Sequence, residues 1–216
     1  DSRFGGLLWA TLVLPHAAYV VVYDLRAHGN QTAKRFTGGY RERDDLLAVL
    51  EQLGERDLTR RGTVLFGCSM GANISLEAAA KAKPDPERFP ITGLILEGPY
   101  RHWSEPIRGM FRLRRYPREP FITLAQAWFR LTMPGSVRGF DKTIAAAAMN
   151  RPVLILHGSD DVLCPIGSAR AIGQACADGT LVEFPGGRHL DLAELDPQRD
   201  GDALAAFFRR LTAEAE

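Results

Sequence analysis

No apolar run in this 216-residue chain approaches the ~20 residues that a membrane helix needs; the longest, 7–14 and 19–23, are separated by Pro15 and His16. Nothing reads as spanning a bilayer. Charge of one sign is equally scarce. Twenty-seven basic side chains against 26 acidic leave a formal net charge of +1, so no whole-molecule field exists to gather nucleic acid, and a nucleic-acid module is not expected. Cysteines are few: Cys68, Cys164 and Cys176 are odd in number, far apart and without a CxxC pair. That argues against a disulfide framework or a zinc site and fits a reducing, cytoplasmic compartment. The chain also lacks an initiating methionine. It opens on Asp1, directly into an amphipathic stretch with no basic leader, so sequence upstream is expected.

What is present is a sizeable core. At 45% hydrophobic residues the chain reads as one globular domain over 1–216. Short runs rich in Val, Ile, Leu and Phe alternate with longer stretches of helical period, the pattern of parallel strands joined by crossover helices, so the expected class is α/β with a mostly parallel sheet covered on both faces. Strands are expected at 19–24, 63–66, 92–97, 153–157 and 181–184, and helices at 2–14, 41–53, 72–83, 166–177 and 197–211. In the second helix Leu46, Leu47, Val49, Leu50 and Leu53 share a face, while Arg43, Asp44, Glu51 and Gln52 lie largely elsewhere.

One region breaks the rhythm. Residues 101–140, about forty positions between two strands, exceed an ordinary crossover and read as an inserted helical cap. They hold Pro106, Pro117, Pro120 and Pro134, the tryptophans Trp103 and Trp128, the phenylalanines Phe111, Phe121, Phe129 and Phe140, and eight arginines against only Glu105 and Glu119.

The chemistry concentrates in Gly67-Cys68-Ser69-Met70-Gly71, placed between a buried strand and the helix that follows. The string alone is weak evidence; the strand-to-helix context makes it a candidate nucleophile turn. A sharp turn forces the serine into a strained backbone, and small neighbours let it close. The helix N-terminus would face any oxyanion formed there, with the Met70 N–H as one donor. The plainer alternative is a serine capping the helix.

A serine hydroxyl needs a base, and His16, His28, His102, His157 and His189 compete. His189, in the mobile glycine-rich stretch Pro185-Gly186-Gly187-Arg188-His189, alone follows a suitable acid. The alternative is a solvated loop histidine. His28 and His157 read as structural, their ring nitrogens satisfied by loop backbone. Asp160 and Asp161 follow the fourth expected strand; two adjacent carboxyls in a tight loop cannot both reach one imidazole, so Asp161 is assigned to it and Asp160 to the turn. Glu97, also at a strand's carboxyl end, is the reserve acid. Cys68 reads as a packed, inert thiol.

The Asp24-Leu25-Arg26-Ala27-His28-Gly29 turn, the Gly67–Gly71 elbow, the Leu156-His157-Gly158-Ser159-Asp160-Asp161 loop and Gly186-Gly187-Arg188-His189 occur in the order found in α/β-hydrolases. Across essentially its whole length the chain resembles that fold superfamily. The elbow and residues 40–46 look most like the branch of bacterial serine-aminopeptidase-like hydrolases and esterases. The resemblance implies acyl transfer by a Ser-His-Asp triad at Ser69, His189 and Asp161, with no metal or organic cofactor, and 101–140 as the cap or lid. It also implies eight strands and a His-Gly loop supplying a second oxyanion donor before the first long helix. Only five strands are read here, so the chain resembles an N-terminally truncated member, whose open sheet edges would favour self-association.

The expected substrate is a small ester or related acyl compound. Trp103, Phe111 and Trp128, with Phe121 and Phe129, would line an apolar pocket or else pin the cap to the body. Arg108, Arg112, Arg114, Arg115 and Arg118 form a basic face, for an anionic ester or an acidic lipid surface, or simply a solvated face. Two rivals stand beside the esterase reading: a serine aminopeptidase-type amide hydrolase, and a non-catalytic binding protein on the same scaffold.

Overall fold

The computed structural model describes residues 3–32, 35–116, 119, 121–132 and 141–213. Four strands, β1 (Thr63–Cys68), β2 (Ile91–Glu97), β3 (Val153–Gly158) and β4 (Gly179–Phe184), form one parallel sheet in the order β1-β2-β3-β4. Register places Cys68 beside Glu97, Glu97 beside Leu156, and Gly158 beside Phe184, so the carboxyl ends of the strands share one rim. Loops after parallel strands gather there, which is why this rim carries the candidate site.

Side-chain alternation explains the layering. Leu94 and Leu96 of β2 and Val153 and Ile155 of β3 enter a core with α2 (Glu42–Glu55), α3 (Met70–Ala82), α6 (Lys142–Ala147) and α7 (Ile166–Ala175). Their neighbours Ile95, Leu154 and Leu156 enter a second core with Val13 of α1 (Arg3–Val13) and Leu204 and Phe207 of α9 (Pro197–Ala213). Strands buried on both faces read as continuous apolar runs, as these do. Truncating one of the fully buried leucines would cost about 2–5 kcal/mol.

The first of the five expected strands, residues 19–24, is not one. The segment runs without strand structure, although its side chains alternate: Val20 packs into the second core, Tyr23 and Leu25 into the first. A strand requires a hydrogen-bonded neighbour as well as an apolar pattern, and β1 pairs only with β2 among the described residues. The segment instead rests against α1, where a β-carbon on Gly6 would stand 2.6 Å from Val22 Cγ1.

Between β2 and β3 lie α4 (Ser104–Leu113), α5 (Phe121–Thr132) and α6. Pro106 sits in the first turn of α4, where its missing N–H is harmless. Pro117, Arg118, Pro120, Pro134 and Phe140, and the side chain of Phe129, lie outside the described residues. A short helix, α8 (Leu192–Leu195), precedes α9. Among the described residues no helix is long and apolar enough to cross a membrane, and all three cysteines are free.

Candidate active site

Ser69 stands between β1 and α3 with φ 52° and ψ −113°, a left-handed backbone that a non-glycine residue adopts only at a cost of about 1–3 kcal/mol. The turn closes because Gly67 has no side chain: a β-carbon there would lie 2.3 Å from the Gly71 carbonyl oxygen and 2.6 Å from the Ala72 nitrogen. Gly71 differs. Its β-carbon would meet nothing within 4 Å, so the tightness belongs to Gly67 alone. Ser69 makes no side-chain capping bond to α3, which removes the helix-cap reading. Its hydroxyl turns instead to His189, whose Nε2 lies 3.0 Å from Ser69 Oγ. Met70 is the first residue of α3, so its N–H belongs to the turn that lacks intrahelical acceptors.

His189 Nδ1 is 2.7 Å from Asp161 Oδ2. The other carboxylate oxygen, Oδ1, accepts the N–H groups of Leu163 and Cys164, both at 2.8 Å, which fixes the Asp161 carboxylate within the loop after β3. Asp160 faces outward and accepts from Ser159 Oγ at 2.8 Å. The glycine-rich stretch before His189 is tied to the loop after β3 by hydrogen bonds. Ser159 N–H donates to Phe184 O, Asp160 N–H to Gly187 O and Gly186 N–H to Ser159 Oγ, so the acid and histidine loops are laced together. Gly158 permits that approach: a β-carbon there would stand 2.2 Å from Gly187 O.

His157 is fully buried, donates from Nε2 to Cys164 O at 2.7 Å, and its pKa is lowered chiefly by desolvation, so it is a neutral structural ring. His28 places Nδ1 2.9 Å from Arg26 O. Glu97 faces other partners than the imidazole. Trp9 Nε1–H donates to Glu97 Oε2, and the Cys68 thiol donates to the same oxygen at 3.8 Å. Burial raises the Glu97 carboxyl to about 7, with Asp200 adding to the rise, and it raises the Cys68 thiol as well, so that thiol stays protonated.

Cys164 escaped the sequence reading. It is fully buried directly beyond the Asp161 turn, and its sulfur lies within 4.8 Å of a carboxylate oxygen of Asp161 and a ring nitrogen of His189. No spacing rule links residues 164 and 189; only the fold brings them together.

The aromatic residues expected around the substrate belong to the helices between β2 and β3. Trp103 is half-buried at the start of α4, Phe111 meets Tyr116 edge-on with ring centroids 6.0 Å apart, and Trp128 on α5 is 66% exposed. Helix α4 is seated on the acid loop. A β-carbon on Gly109 would lie 2.5 Å from Val162 O, and Ser168 Oγ donates to Glu105 at 2.6 Å. Arg108, Arg112, Arg114 and Arg115 are exposed. A surface hollow of about 210 Å³, lined by Arg170, Gly173, Gln174, Gly179 and Leu181, lies at α7 and β4 and includes none of the three residues of the relay.

With this geometry in hand, comparison with known proteins is informative. Residues 3–207 match the sequence profile described as "Alpha/beta hydrolase family". The chain is 28% identical over 156 residues to YqkD, an uncharacterised protein of Bacillus subtilis; the match covers 71% of this chain and 49% of that one, so the chain spans about half the length of this curated relative. Among solved structures, the Pyrococcus furiosus esterase Pf2001 is similar with a TM-score of 0.75 at 19% identity, over 97% of this chain and 78% of that one. A monoacylglycerol lipase from Paleococcus ferrophilus follows at 0.67 and 19%, over 95% and 89%. A thermophilic esterase from Thermogutta terrifontis stands at 0.64 and 20%, over 97% and 86%. At such identities the likeness is one of fold.

Proposed function

From the premise that the chain belongs to the alpha/beta hydrolase family, we propose that it is a serine hydrolase that cleaves carboxylic esters through Ser69, His189 and Asp161. The observation that carries this reading is the unbroken relay Ser69 Oγ, His189 Nε2 at 3.0 Å, His189 Nδ1, Asp161 Oδ2 at 2.7 Å. Ser69 attacks the ester carbonyl carbon as His189 Nε2 takes its proton; Asp161 holds the imidazole in the tautomer that keeps Nε2 basic and then stabilises the imidazolium. Negative charge gathers on the former carbonyl oxygen, where the Met70 N–H and the N-terminal end of α3 oppose it. The intermediate collapses, the alcohol departs with the proton from His189, and water, deprotonated by the same ring, releases the acid and restores Ser69.

Residues 101–140 are the cap in this reading. Trp103 at the N-cap of α4 and Phe111 on that helix, which sits on the acid loop, and Trp128 on α5 offer apolar surface to the acyl or alcohol group of a small ester. The test is covalent. A fluorophosphonate probe labels the wild-type chain at Ser69, and Ser69→Ala abolishes labelling. Hydrolysis of short p-nitrophenyl esters, lost in His189→Ala, extends labelling to turnover; preferred cleavage of aminoacyl amides would move the assignment to an aminopeptidase. Absence of both labelling and hydrolysis would point to a binding protein built on the hydrolase scaffold.

A further inference from the structure

Acyl transfer leaves Cys164 without a task, although this fully buried residue closes the Asp161 turn, its N–H donating to Asp161 Oδ1. Three unlike side chains meet at this point. One donor atom each from Asp161, Cys164 and His189 lies within 4.8 Å of the other two. Carboxylate oxygen, cysteine sulfur and imidazole nitrogen are the ligands that zinc and similar borderline-soft divalent ions select, at about 2.0–2.3 Å from the ion. Around a tetrahedral ion such donors stand about 3.3–3.8 Å apart, so His189 Nδ1 and Asp161 Oδ2, now 2.7 Å apart, part slightly to admit the ion while the Cys164 sulfur draws in. Asp161 is already braced through Oδ1 by two backbone N–H groups, leaving Oδ2 to turn to an ion, as metal-binding carboxylates are commonly braced. The His189 side chain retains 19% exposure, which gives an ion a way in. A water completes the fourth position.

We infer that Asp161, Cys164 and His189 form a site for a borderline-soft divalent cation, with zinc as the fitting ion, and that its binding reversibly silences the hydrolase. The sulfur–metal bond forms as the thiol proton leaves to solvent, and nothing is oxidised or reduced. The ion occupies the imidazole and carboxylate that Ser69 requires. Magnesium and calcium, which need six or more oxygens, have no matching ligand set here. Silencing rests on the proposed function; binding itself does not.

The deciding experiment titrates the full chain with Co²⁺ and follows the thiolate-to-cobalt charge-transfer absorption in the near ultraviolet. A one-to-one band is expected in the wild type, in Cys68→Ser and in Cys176→Ser. Cys164→Ser should lack it, Zn²⁺ should bleach it, and His189→Gln should weaken cobalt affinity at least tenfold. In parallel, micromolar Zn²⁺, but not Mg²⁺, should inhibit p-nitrophenyl ester hydrolysis, at least tenfold less potently in Cys164→Ser. A band that survives Cys164→Ser, a band lost in either other cysteine variant, or no band at all overturns the site. Should Cys164→Ser fail to fold, unchanged cobalt affinity in His189→Gln overturns it equally and a tenfold loss supports it. A cobalt band from a chain that hydrolyses no ester keeps the metal site and removes the hydrolase reading.

Discussion

His189 reaches Asp161 at 2.7 Å through the carboxylate oxygen that the loop backbone leaves unused, while the other oxygen is taken by Leu163 and Cys164 N–H. The two oxygens therefore have separable work, one building the loop and one directing the imidazole.

Asp161→Asn separates them. The amide oxygen can still accept from the loop, so folding should be nearly unchanged, whereas the NH₂ facing Nδ1 favours the wrong imidazole tautomer and removes the partner of the imidazolium. Turnover of a p-nitrophenyl ester should fall by about 10³–10⁴ with KM little altered. A Tm close to wild type together with a tenfold or smaller loss in kcat would contradict the assigned role.

The glycines of the elbow should respond in opposite ways. Gly67→Ala drives a β-carbon to 2.3 Å from the Gly71 carbonyl oxygen, backbone that cannot move without unmaking the turn at Ser69. The expected loss is about 3 kcal/mol or more. Gly71→Ala meets open space on a helix, and should add up to about 1 kcal/mol through helix propensity. Urea denaturation of the two variants measures both. Equal effects would mean that the turn is not closed by Gly67.

Much of this arrangement was legible because it is local. Glycines flanking a serine between an apolar run and a helical period, an aspartate pair after one strand and a histidine after the next could all be read from neighbouring residues. Segment 19–24 shows where local reading ends. Its side chains alternate as a strand's do, yet strand formation depends on a hydrogen-bonding neighbour that no feature of the segment specifies. The approach of Cys164 to His189 and the contacts of Trp9 with Glu97 and Lys142 with Glu77 were invisible for the same reason: each is made by the fold between distant positions.

Glu97 makes stability pH-dependent in a specified direction. It is 3% exposed, and burial, opposed in part by the Trp9 hydrogen bond, raises its carboxyl from the ordinary 4.5 to about 7. Between those values the folded chain binds a proton that the unfolded chain has released, so stability falls as pH rises through that window and levels off above it. The full effect is about 3 kcal/mol, and Asp200, also raised by burial, acts in the same direction at the acidic end. Glu97→Gln keeps an oxygen for Trp9 and removes the titration. Its unfolding free energy should exceed that of the wild type at pH 8 by more than at pH 5. Parallel pH profiles for the two proteins would rule out Glu97 as the source.

Lys142 and Glu77 join α6 to α3, the helix on which Ser69 is mounted. Both are buried, at 4% and 7% exposure, and Lys142 Nζ donates to Glu77 Oε1, while Arg43 approaches the other oxygen at 3.4 Å. Taking two charges out of water is expensive, and their attraction returns the cost only while both are present. Lys142→Met leaves Glu77, among the described residues, with the longer contact to Arg43, and should destabilise by about 3–5 kcal/mol. Adding Glu77→Leu removes the stranded charge and should restore most of that loss, because two apolar side chains of similar volume fill the space without a desolvation penalty. The double-mutant cycle in urea measures the coupling directly. Since neither residue is a member of the relay Ser69, His189 and Asp161, kcat per folded molecule should be unchanged in both variants; a fall in kcat without a fall in stability would mean that the pair positions α3 for catalysis rather than anchoring it.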